Sequence, residues 1–216
     1  FEGSTEIMEL LIAREAVDTH LAVAGDIIDP RADTGRKARA AARAGGFYAK
    51  WLPGLAVGRG QVPTGYREFG PLAEHLRYVE RASRKLARQT FYGMSRWQGK
   101  LEHRQCFLGR IVNIGAELFA ISAACVRAQR LREEHGDSAV ELADAFCRQA
   151  RHRADELFER LWHNTDSTDR KLARGVLEGR YTWLEDGVID PSVDGPWIAD
   201  ATPGESKRPN VRRRLR

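Results

Sequence analysis

The fold class follows from residues 101–134, which read LEHRQCFLGRIVNIGAELFAISAACVRAQRLREE. Apolar or small side chains recur there every three or four residues, as they do along one face of an α-helix. Two adjacent lines of such residues can be drawn, namely Leu108, Ile111, Gly115, Leu118, Ser122 and Cys125, and beside them Phe107, Ile114 and Ile121. A helix that is apolar around so much of its girth is predicted to be the central, most buried element.

Two further stretches carry the same helical pattern. Residues 72–97 repeat apolar and small side chains at alternating steps of four and three, behind Pro71, which suits the first turn of a helix. Residues 140–161 do so again, after the sequence HGDS at 135–138, which is predicted to end one helix and cap the next. Long helices with short joints predict an all-α fold built on an antiparallel bundle.

The chain is predicted to have four parts. A helix from Ser4, its cap, to Ala24 is expected to end at Gly25. The bundle is expected to contain about four helices, the last from about Ser167 to Leu184 with Ser167 or Thr168 as cap. The predicted parts are residues 1–25 (one helix), 26–70 (a linker), 71–186 (the bundle) and 187–216 (an irregular basic tail).

The linker combines regular and irregular sequence. Residues 25–35 contain Asp29-Pro30 and are predicted to be a connection, followed by a short, basic, alanine-rich helix over residues 36–44. Residues 46–70 mix glycines and prolines with aromatic and aliphatic side chains. Two interpretations of that segment stay open: an ordered loop packed on the helices, or a surface that touches lipid or another subunit.

Composition narrows the class of protein. The chain has 216 residues, 42% of them apolar, which is enough for a real core, and no apolar run approaches the roughly 20 residues that a membrane-spanning helix needs. Because Phe1 is not a start methionine, the sequence is expected to be cut from a longer protein. Cys106, Cys125 and Cys147 are expected to be reduced, buried thiols. No metal site is predicted, since His103 and Cys106 lack two further ligands at suitable spacing.

The net charge of +5 is unevenly distributed. The last ten residues contain six basic side chains and no acid, and removing those six changes the net charge to −1. The six are Lys207, Arg208, Arg212, Arg213, Arg214 and Arg216. A nucleic-acid-binding domain usually carries its basic patch on the folded surface. No nucleic-acid partner is therefore predicted, and the tail is expected to be solvated.

The most specific chemical signal lies in residues 1–15, FEGSTEIMELLIARE. An aromatic residue, Glu2, Gly3 and a hydroxyl residue lead directly into a helix, and taken alone Glu2 could simply favour the positive end of that helix. With the helix register included, the segment resembles the acyl-CoA dehydrogenase family, in which this signature precedes the last helix of the catalytic domain. Ser4 stands where threonine is commoner and keeps the hydroxyl group.

The resemblance implies a reaction and the residues that perform it. Glu2 would be the base that removes the pro-R α-proton of a fatty acyl-CoA while the β-hydride passes to FAD on the opposite face of the substrate. Such a weakly acidic proton requires a base held dry, with a raised pKa. Gly3 would let the backbone pass close to the substrate. Ser4, Thr5 and Glu6 occupy positions that contact FAD in the family.

Residues from Pro71 onward resemble the helical domain that the very-long-chain branch of this family carries after its catalytic domain. The resemblance rests on RASRKLAR at 81–88, Gly93-Met94 and GKLEHRQ at 99–105, whose arginines are expected to be solvated. It implies an electron-transfer protein as acceptor, a homodimer, and a location in a bacterial cytoplasm, at the inner face of a membrane, or in mitochondria if the protein is eukaryotic. The chain alone is expected to be inactive, because other domains supply most contacts to FAD and substrate.

A different class of function also fits the sequence. A non-enzymatic helical module could dock on a partner protein or an anionic membrane through residues 46–70 and the basic tail. The two interpretations are compatible if the appended helices tether an enzyme.

Overall fold

The computed structural model describes residues 4–29 and 31–185. Within these ranges the chain forms six α-helices and four short 3-10 segments, with no strand, so the all-α prediction is confirmed. The helices are α1 (Thr5–Ile28), α2 (Thr34–Gly54), α3 (Ala73–Trp97), α4 (Gln105–His135), α5 (Asp137–Arg160) and α6 (Asp166–Leu177). The 3-10 segments are Arg59–Gln61, Arg67–Leu72, Gln98–His103 and Thr182–Glu185. The predicted tail, 187–216, lies outside the described residues.

Helix α4 is the centre of the fold, as predicted. It packs against α5, α3 and α1. Nine of its residues are buried, and Ile114, Ile121 and Cys125 are completely inaccessible to solvent. The apolar lines seen in the sequence arise because neighbouring helices cover α4 on several sides.

Helix α4 is also apolar enough to raise the question of a membrane. It is 31 residues long, and an 18-residue window within it has a mean hydropathy of 1.5, which is sufficient by length and composition for a span. The expectation that no helix would be so apolar was therefore wrong. Core helices of bundles have the same composition, because both kinds of helix are surrounded by apolar groups.

The turn between α4 and α5 joins the two helices as an antiparallel hairpin. Gly136 has a φ of 61°, a conformation that glycine adopts without steric cost, and it ends α4 as predicted. No side chain caps α5, which corrects the predicted cap. The Ser138 hydroxyl instead donates to the carbonyl of His135, at 2.7 Å.

Two helix starts lie later in the chain than predicted. Pro71 belongs to a 3-10 segment, and α3 begins at Ala73, because Gly70 turns the chain with a φ of 53°. Leu101 likewise lies in a 3-10 segment, and α4 begins only at Gln105. Leu101 is nevertheless buried, so its apolar side chain reaches the core from outside the helix.

Helix α1 continues past Gly25, where it was predicted to end, to Ile28. The carbonyl of Gly25 accepts a hydrogen bond from the Asp29 N–H at 3.1 Å, which closes the last turn. Asp29 is extended, with φ −72° and ψ 116°, as residues before a proline usually are. The proline, rather than the glycine, thus ends the helix.

Helix α2 is longer than the short helix predicted over residues 36–44. Asp33 caps it by accepting a hydrogen bond from the Arg36 N–H at 2.9 Å. The helix then runs through two consecutive glycines to Gly54, although each glycine disfavours a helix by about 1 kcal/mol. The aromatic side chains of its last turns pack onto α1 and α3, which offsets that cost.

Four arginines of α3 hold the last residue of α2 and the loop after it, residues 54–66, against α3. Each donates to a backbone carbonyl: Arg77 to Gly65 (2.9 Å), Arg81 to Gly60 (2.8 Å), Arg84 to Gly54, and Arg88 to Leu55 (3.4 Å). Glu80, between them, accepts from the Gly60 N–H and the Tyr66 hydroxyl, both at 2.7 Å. We call these four arginines the arginine clamp. The expectation that Arg81, Arg84 and Arg88 would be merely solvated was wrong. Of the two interpretations left open for residues 46–70, an ordered loop packed on the helices describes residues 55–66.

The chain divides into two compact units, residues 1–163 and 164–216. The second contains α6, which begins at Asp166, so the predicted caps Ser167 and Thr168 lie inside its first turn. The Thr165 hydroxyl, just before the helix, donates to Asp169 at 2.8 Å. The helix ends at Leu177, short of the predicted Leu184, and Gly179 then turns the chain with a φ of 73°.

Candidate functional site

The N-terminal end of α1 carries the part of the predicted site that the structure describes. Ser4 is extended, with φ −61° and ψ 151°, and its Oγ accepts a hydrogen bond from the Ile7 N–H at 3.5 Å. The predicted capping role of Ser4 is thus confirmed, and Thr5 follows as the first helical residue. Glu2 and Gly3 lie outside the described residues, and so does the side chain of Glu6.

The chemistry of this helix end suits a ligand with phosphate or hydroxyl groups. Both Ser4 and Thr5 are exposed and present hydroxyl groups. The first turn of a helix carries N–H groups without intrahelical partners and a partial positive charge. Phosphates commonly bind at such ends. The residues present therefore fit an anionic, hydroxyl-bearing cofactor.

Helix α1 is fixed to α4 by apolar and polar contacts. Ala13 and Val17 are buried in one cluster with Phe107 and Leu108 of α4. Nearer the N-terminus, the Glu9 carboxylate accepts a hydrogen bond from the Asn113 side-chain amide at 2.9 Å. The helix end that carries the site therefore takes its position from the bundle.

The C-terminal half of α1 packs into an aromatic cluster. His20, only 8% exposed, stacks on Tyr48 of α2 with the two ring planes 6° apart, and its Nδ1 lies 3.0 Å from the Tyr48 hydroxyl oxygen. Trp51 meets the imidazole edge-on at a centroid distance of 5.0 Å, and Phe91 of α3 completes the cluster. These contacts join α1, α2 and α3. Sequence analysis did not predict these contacts, and it assigned the aromatic residues of α2 to an irregular stretch.

Burial changes the proton affinity of both polar members of this cluster. It lowers the pKa of His20 below its usual 6.5, because the charged imidazolium loses hydration. It raises the pKa of Tyr48 above its usual 10, because the phenolate would lose hydration too. His20 is therefore held in its neutral form in the folded protein near pH 7.

We expect the stability of the fold to decrease on acidification through His20. Below pH 6.5, the usual pKa of histidine, His20 binds a proton in the unfolded chain but stays neutral in the folded chain until the pH reaches its lower folded pKa. Protonation therefore stabilises the unfolded state relative to the folded state as the pH falls from 6.5 toward that lower pKa. Urea midpoints measured at about pH 7.5 and about pH 5.5 should differ more for the unaltered chain than for His20→Gln. His163→Gln, at an exposed position, is the control. An equal pH effect in all three proteins would contradict this role.

A cavity of about 670 Å³ opens beside the cluster, between α1, α2, α3 and α4. Its wall is mainly apolar, and the polar groups in it are few. The lining includes Ile12, His20, Trp51, Leu86, Thr90 and Phe119. The sequence did not predict this cavity, because its walls come from four separate helices.

The buried imidazole of His75 finds its polar partners within the bundle. Buried His75 lies between Asp144, 2.8 Å from Nε2, and Arg151, 3.3 Å from Nδ1. Because arginine only donates, Nδ1 accepts, and the proton on Nε2 points to Asp144. This arrangement is a structural crosslink between α3 and α5. In the part of the chain that the structure describes, no three metal-ligating side chains come together.

The cysteines divide into two environments. Cys125 and Cys147 are buried thiols whose sulfur atoms lie 3.8 Å apart, in agreement with the sequence-based expectation. Cys106 is exposed, which contradicts it. Its neighbours Phe107 and Leu108 lie on the buried side of the first turn of α4, so Cys106 lies on the solvent side.

Comparison with known proteins identifies relatives along the entire chain. The chain is 65% identical over 219 aligned residues to proteins named probable acyl-CoA dehydrogenase FadE10, from Mycobacterium bovis and from two strains of Mycobacterium tuberculosis. The match covers 100% of this chain but only the C-terminal 34% of each relative, so the chain spans about a third of their length. No family model matches the chain. No solved structure matches it either.

Proposed function

Because the chain corresponds along its whole length to the C-terminal third of named acyl-CoA dehydrogenases, we propose that it supplies the catalytic base of such an enzyme. The observation that carries this proposal is the 65% identity, combined with a glutamate two residues before the capped end of α1. Glu2 is the proposed base, and the reaction is α,β-desaturation of a fatty acyl-CoA.

The residues around Glu2 suit proton abstraction next to a thioester. A carboxylate can accept the α-proton directly, and its strength as a base rises when water is excluded from it. Gly3 has no Cβ, so substrate can approach the main chain closely. The positive end of α1 follows immediately and favours the negative charge that develops on the thioester oxygen during proton removal.

Ser4, Thr5 and Glu6 are the residues of this chain that would contact FAD. The exposed hydroxyl groups of Ser4 and Thr5 at a helix N-terminus suit the phosphate and hydroxyl groups of a dinucleotide. When bound, FAD supplies the acceptor for the β-hydride. Because this chain provides only a small part of such a site, the chain by itself is proposed to be inactive.

The proposal extends to substrate, partners and location. The appended helices, which resemble those of the very-long-chain branch, favour a long-chain acyl-CoA as substrate. We further propose a homodimer, an electron-transfer protein as acceptor, and a bacterial cytoplasmic location.

The test uses the full-length protein to which this chain belongs. We expect it to purify with bound flavin, and long-chain acyl-CoA to bleach the flavin absorbance under anaerobic conditions. A series of acyl-CoAs from short to very long, with an artificial electron acceptor, then gives the chain-length preference as kcat/KM. A protein that binds no flavin, or whose flavin no acyl-CoA reduces, would overturn the proposal.

Peripheral membrane contact is a second candidate function, favoured by the outward face of α2. This helix has five basic residues and no acidic one. Asp26 of α1 pairs with Arg36 and Arg43, at 2.6 and 3.6 Å, while Arg39 and Lys50 are exposed along with Leu52. Of the predicted contact region, residues 46–70, the α2 aromatic side chains pack inward on His20, whereas Val57 and Val62 of the clamped loop are exposed. The basic tail, the other predicted contact, lies outside the described residues.

Sedimentation with vesicles tests this candidate. We expect vesicles rich in anionic lipid to bind the chain, and Arg39→Glu with Lys50→Glu to weaken binding by about 30-fold or more, because each basic residue near such a surface contributes about 1 kcal/mol. Added salt should weaken binding as well. The control is Lys100→Glu with Arg130→Glu. Both residues are exposed, Lys100 just before α4 and Arg130 on it. Equal binding of all three proteins would eliminate α2 as the contact.

A further inference from the structure

We propose that Glu9, Gly109 and Asn113 form a latch through which helix α4 positions Glu2, an inference that rests on the function proposed above. Glu9 lies on α1, seven residues after Glu2, whereas Gly109 and Asn113 lie one turn apart on α4. All three are positioning residues, because they act on the substrate only through the placement of Glu2.

The latch holds both oxygens of the Glu9 carboxylate. Oε1 accepts a hydrogen bond from the Asn113 side-chain amide at 2.9 Å. Oε2 lies directly over Gly109, where an added Cβ would come within 2.7 Å of it. Apart from this carboxylate, nothing lies within 4 Å of that Cβ position. The glycine therefore leaves a space on α4 that the Glu9 carboxylate fills.

The latch differs in kind from the other contacts between α1 and α4. Ala13 and Val17, further along α1, pack by apolar contact, which resists separation of the helices but is not directional. A hydrogen bond has a preferred angle as well as a distance, so it also resists rotation of α1 about its axis. Ile7 and Met8, immediately before Glu9, are exposed. The latch thus acts close to the end of the helix that leads to Glu2.

The distance between latch and site is short. From Ser4 to Glu9 the helix rises by about 7.5 Å, at 1.5 Å per residue. A change in the position of Glu9 is therefore transmitted by about 1.4 turns of continuous helix to Ser4, two residues after Glu2. Misplacement of a reacting group by about 1 Å can slow a reaction about 100-fold, so even a partial displacement should be measurable.

Two variants of the full-length enzyme displace the latch without opening the core. Gly109→Ala places a methyl group against Oε2 of Glu9, a flexible side-chain end, while alanine favours the helix more than glycine does. Asn113→Asp keeps the shape of the side chain but sets two carboxylates against each other. Glu117→Gln, one turn further along α4, is the matched control, because it breaks only the ion pair with Arg153 of α5.

The rate of α-proton exchange reports on the positioning of the base. It is followed in deuterated water with an acyl-CoA analogue that has no hydrogen on its β-carbon, so that it can lose its α-proton but cannot be oxidised. We expect exchange to slow about tenfold in Gly109→Ala and Asn113→Asp. Flavin content, thermal midpoint and KM should stay near those of the unaltered enzyme, and Glu117→Gln should exchange at the normal rate.

Three results would overturn the latch. They are exchange within about twofold of normal in both variants, an equal loss in Glu117→Gln, and a loss that parallels a fall in flavin content or thermal midpoint in both. Glu2→Gln, measured in the same assay, separates this inference from the proposed function. If Glu2→Gln abolishes exchange while the latch variants do not slow it, only the latch fails. If Glu2→Gln exchanges normally, the proposed function fails.

Discussion

Glu2→Gln in the full-length protein is expected to lower kcat about 1000-fold while the protein keeps its flavin. Glutamine has nearly the same shape as glutamate, but its amide cannot accept a proton, and a positioned general base typically contributes between about 100-fold and 10,000-fold. Substrate binding does not require the charge, so KM should change far less than kcat. The measurement is the anaerobic rate of flavin reduction by a long-chain acyl-CoA after rapid mixing.

The same substitution at Glu141 provides the control. Glu141 lies exposed on α5, so Glu141→Gln should reduce flavin at the normal rate. If Glu2→Gln retained the turnover of the unaltered enzyme, the base would have to come from elsewhere in the polypeptide, and the assignment of Glu2 would be wrong. If both variants were equally slow, general destabilisation would explain the loss.

The largest expected effect on stability is at Ile121, in the middle of α4. Its side chain is completely inaccessible and packs with Leu72, Cys125 and Cys147, so Ile121→Ala should lower the free energy of unfolding by about 3 kcal/mol. About half of that loss comes from the apolar surface that is removed, and the rest comes from the cavity that remains. Urea denaturation of this chain measures the change as a lower midpoint with an unchanged slope.

Phe119, two residues earlier on the same helix, is the matched control. It is 75% exposed, so Phe119→Ala should change the free energy of unfolding by less than about 0.5 kcal/mol, although it removes a larger side chain. Equal destabilisation by the two substitutions would show that α4 is not covered at Ile121 as described, or that Phe119 is covered by another molecule.

The long helices could be predicted because one physical effect determines them. In α3, α4 and α5 the apolar side chains recur with the helical period over many turns, and burial of that face outweighs local preferences. Helix ends were predicted less well, since they depend on a few local interactions. Gly25 illustrates this: glycine was expected to end α1, but the conformational restriction imposed by the next proline decides the end.

Helix α2 shows what the sequence pattern could not supply. Its glycines and proline predicted an irregular segment from residue 46 onward, yet the helix continues to Gly54. The aromatic residues there stabilise the helix through His20 and Phe91, which lie 27 residues before Phe47 and 44 after it in the sequence. Such partners become neighbours only once the fold has formed.

The site was predictable only where its signals are local. Ser4 could be identified as a cap, because the capping bond joins residues three apart. The contact between Glu9 and Asn113 could not be predicted, because those residues are 104 positions apart and Asn113 belongs to no motif. Glu2 and Gly3 stay predictions.

The arginine clamp limits how the segment between α2 and α3 can change during evolution. Its guanidinium groups bind main-chain carbonyls, which every residue type carries, so these bonds do not select side chains. They constrain the length of the segment instead, because one inserted residue would move the carbonyls away from the arginines that bind them. A Cβ would collide with Glu80 at Gly58 and Gly60, and with the carbonyl of Arg59 at Gly65. Related sequences should therefore conserve the length of this segment and these three glycines, while its other residues diverge.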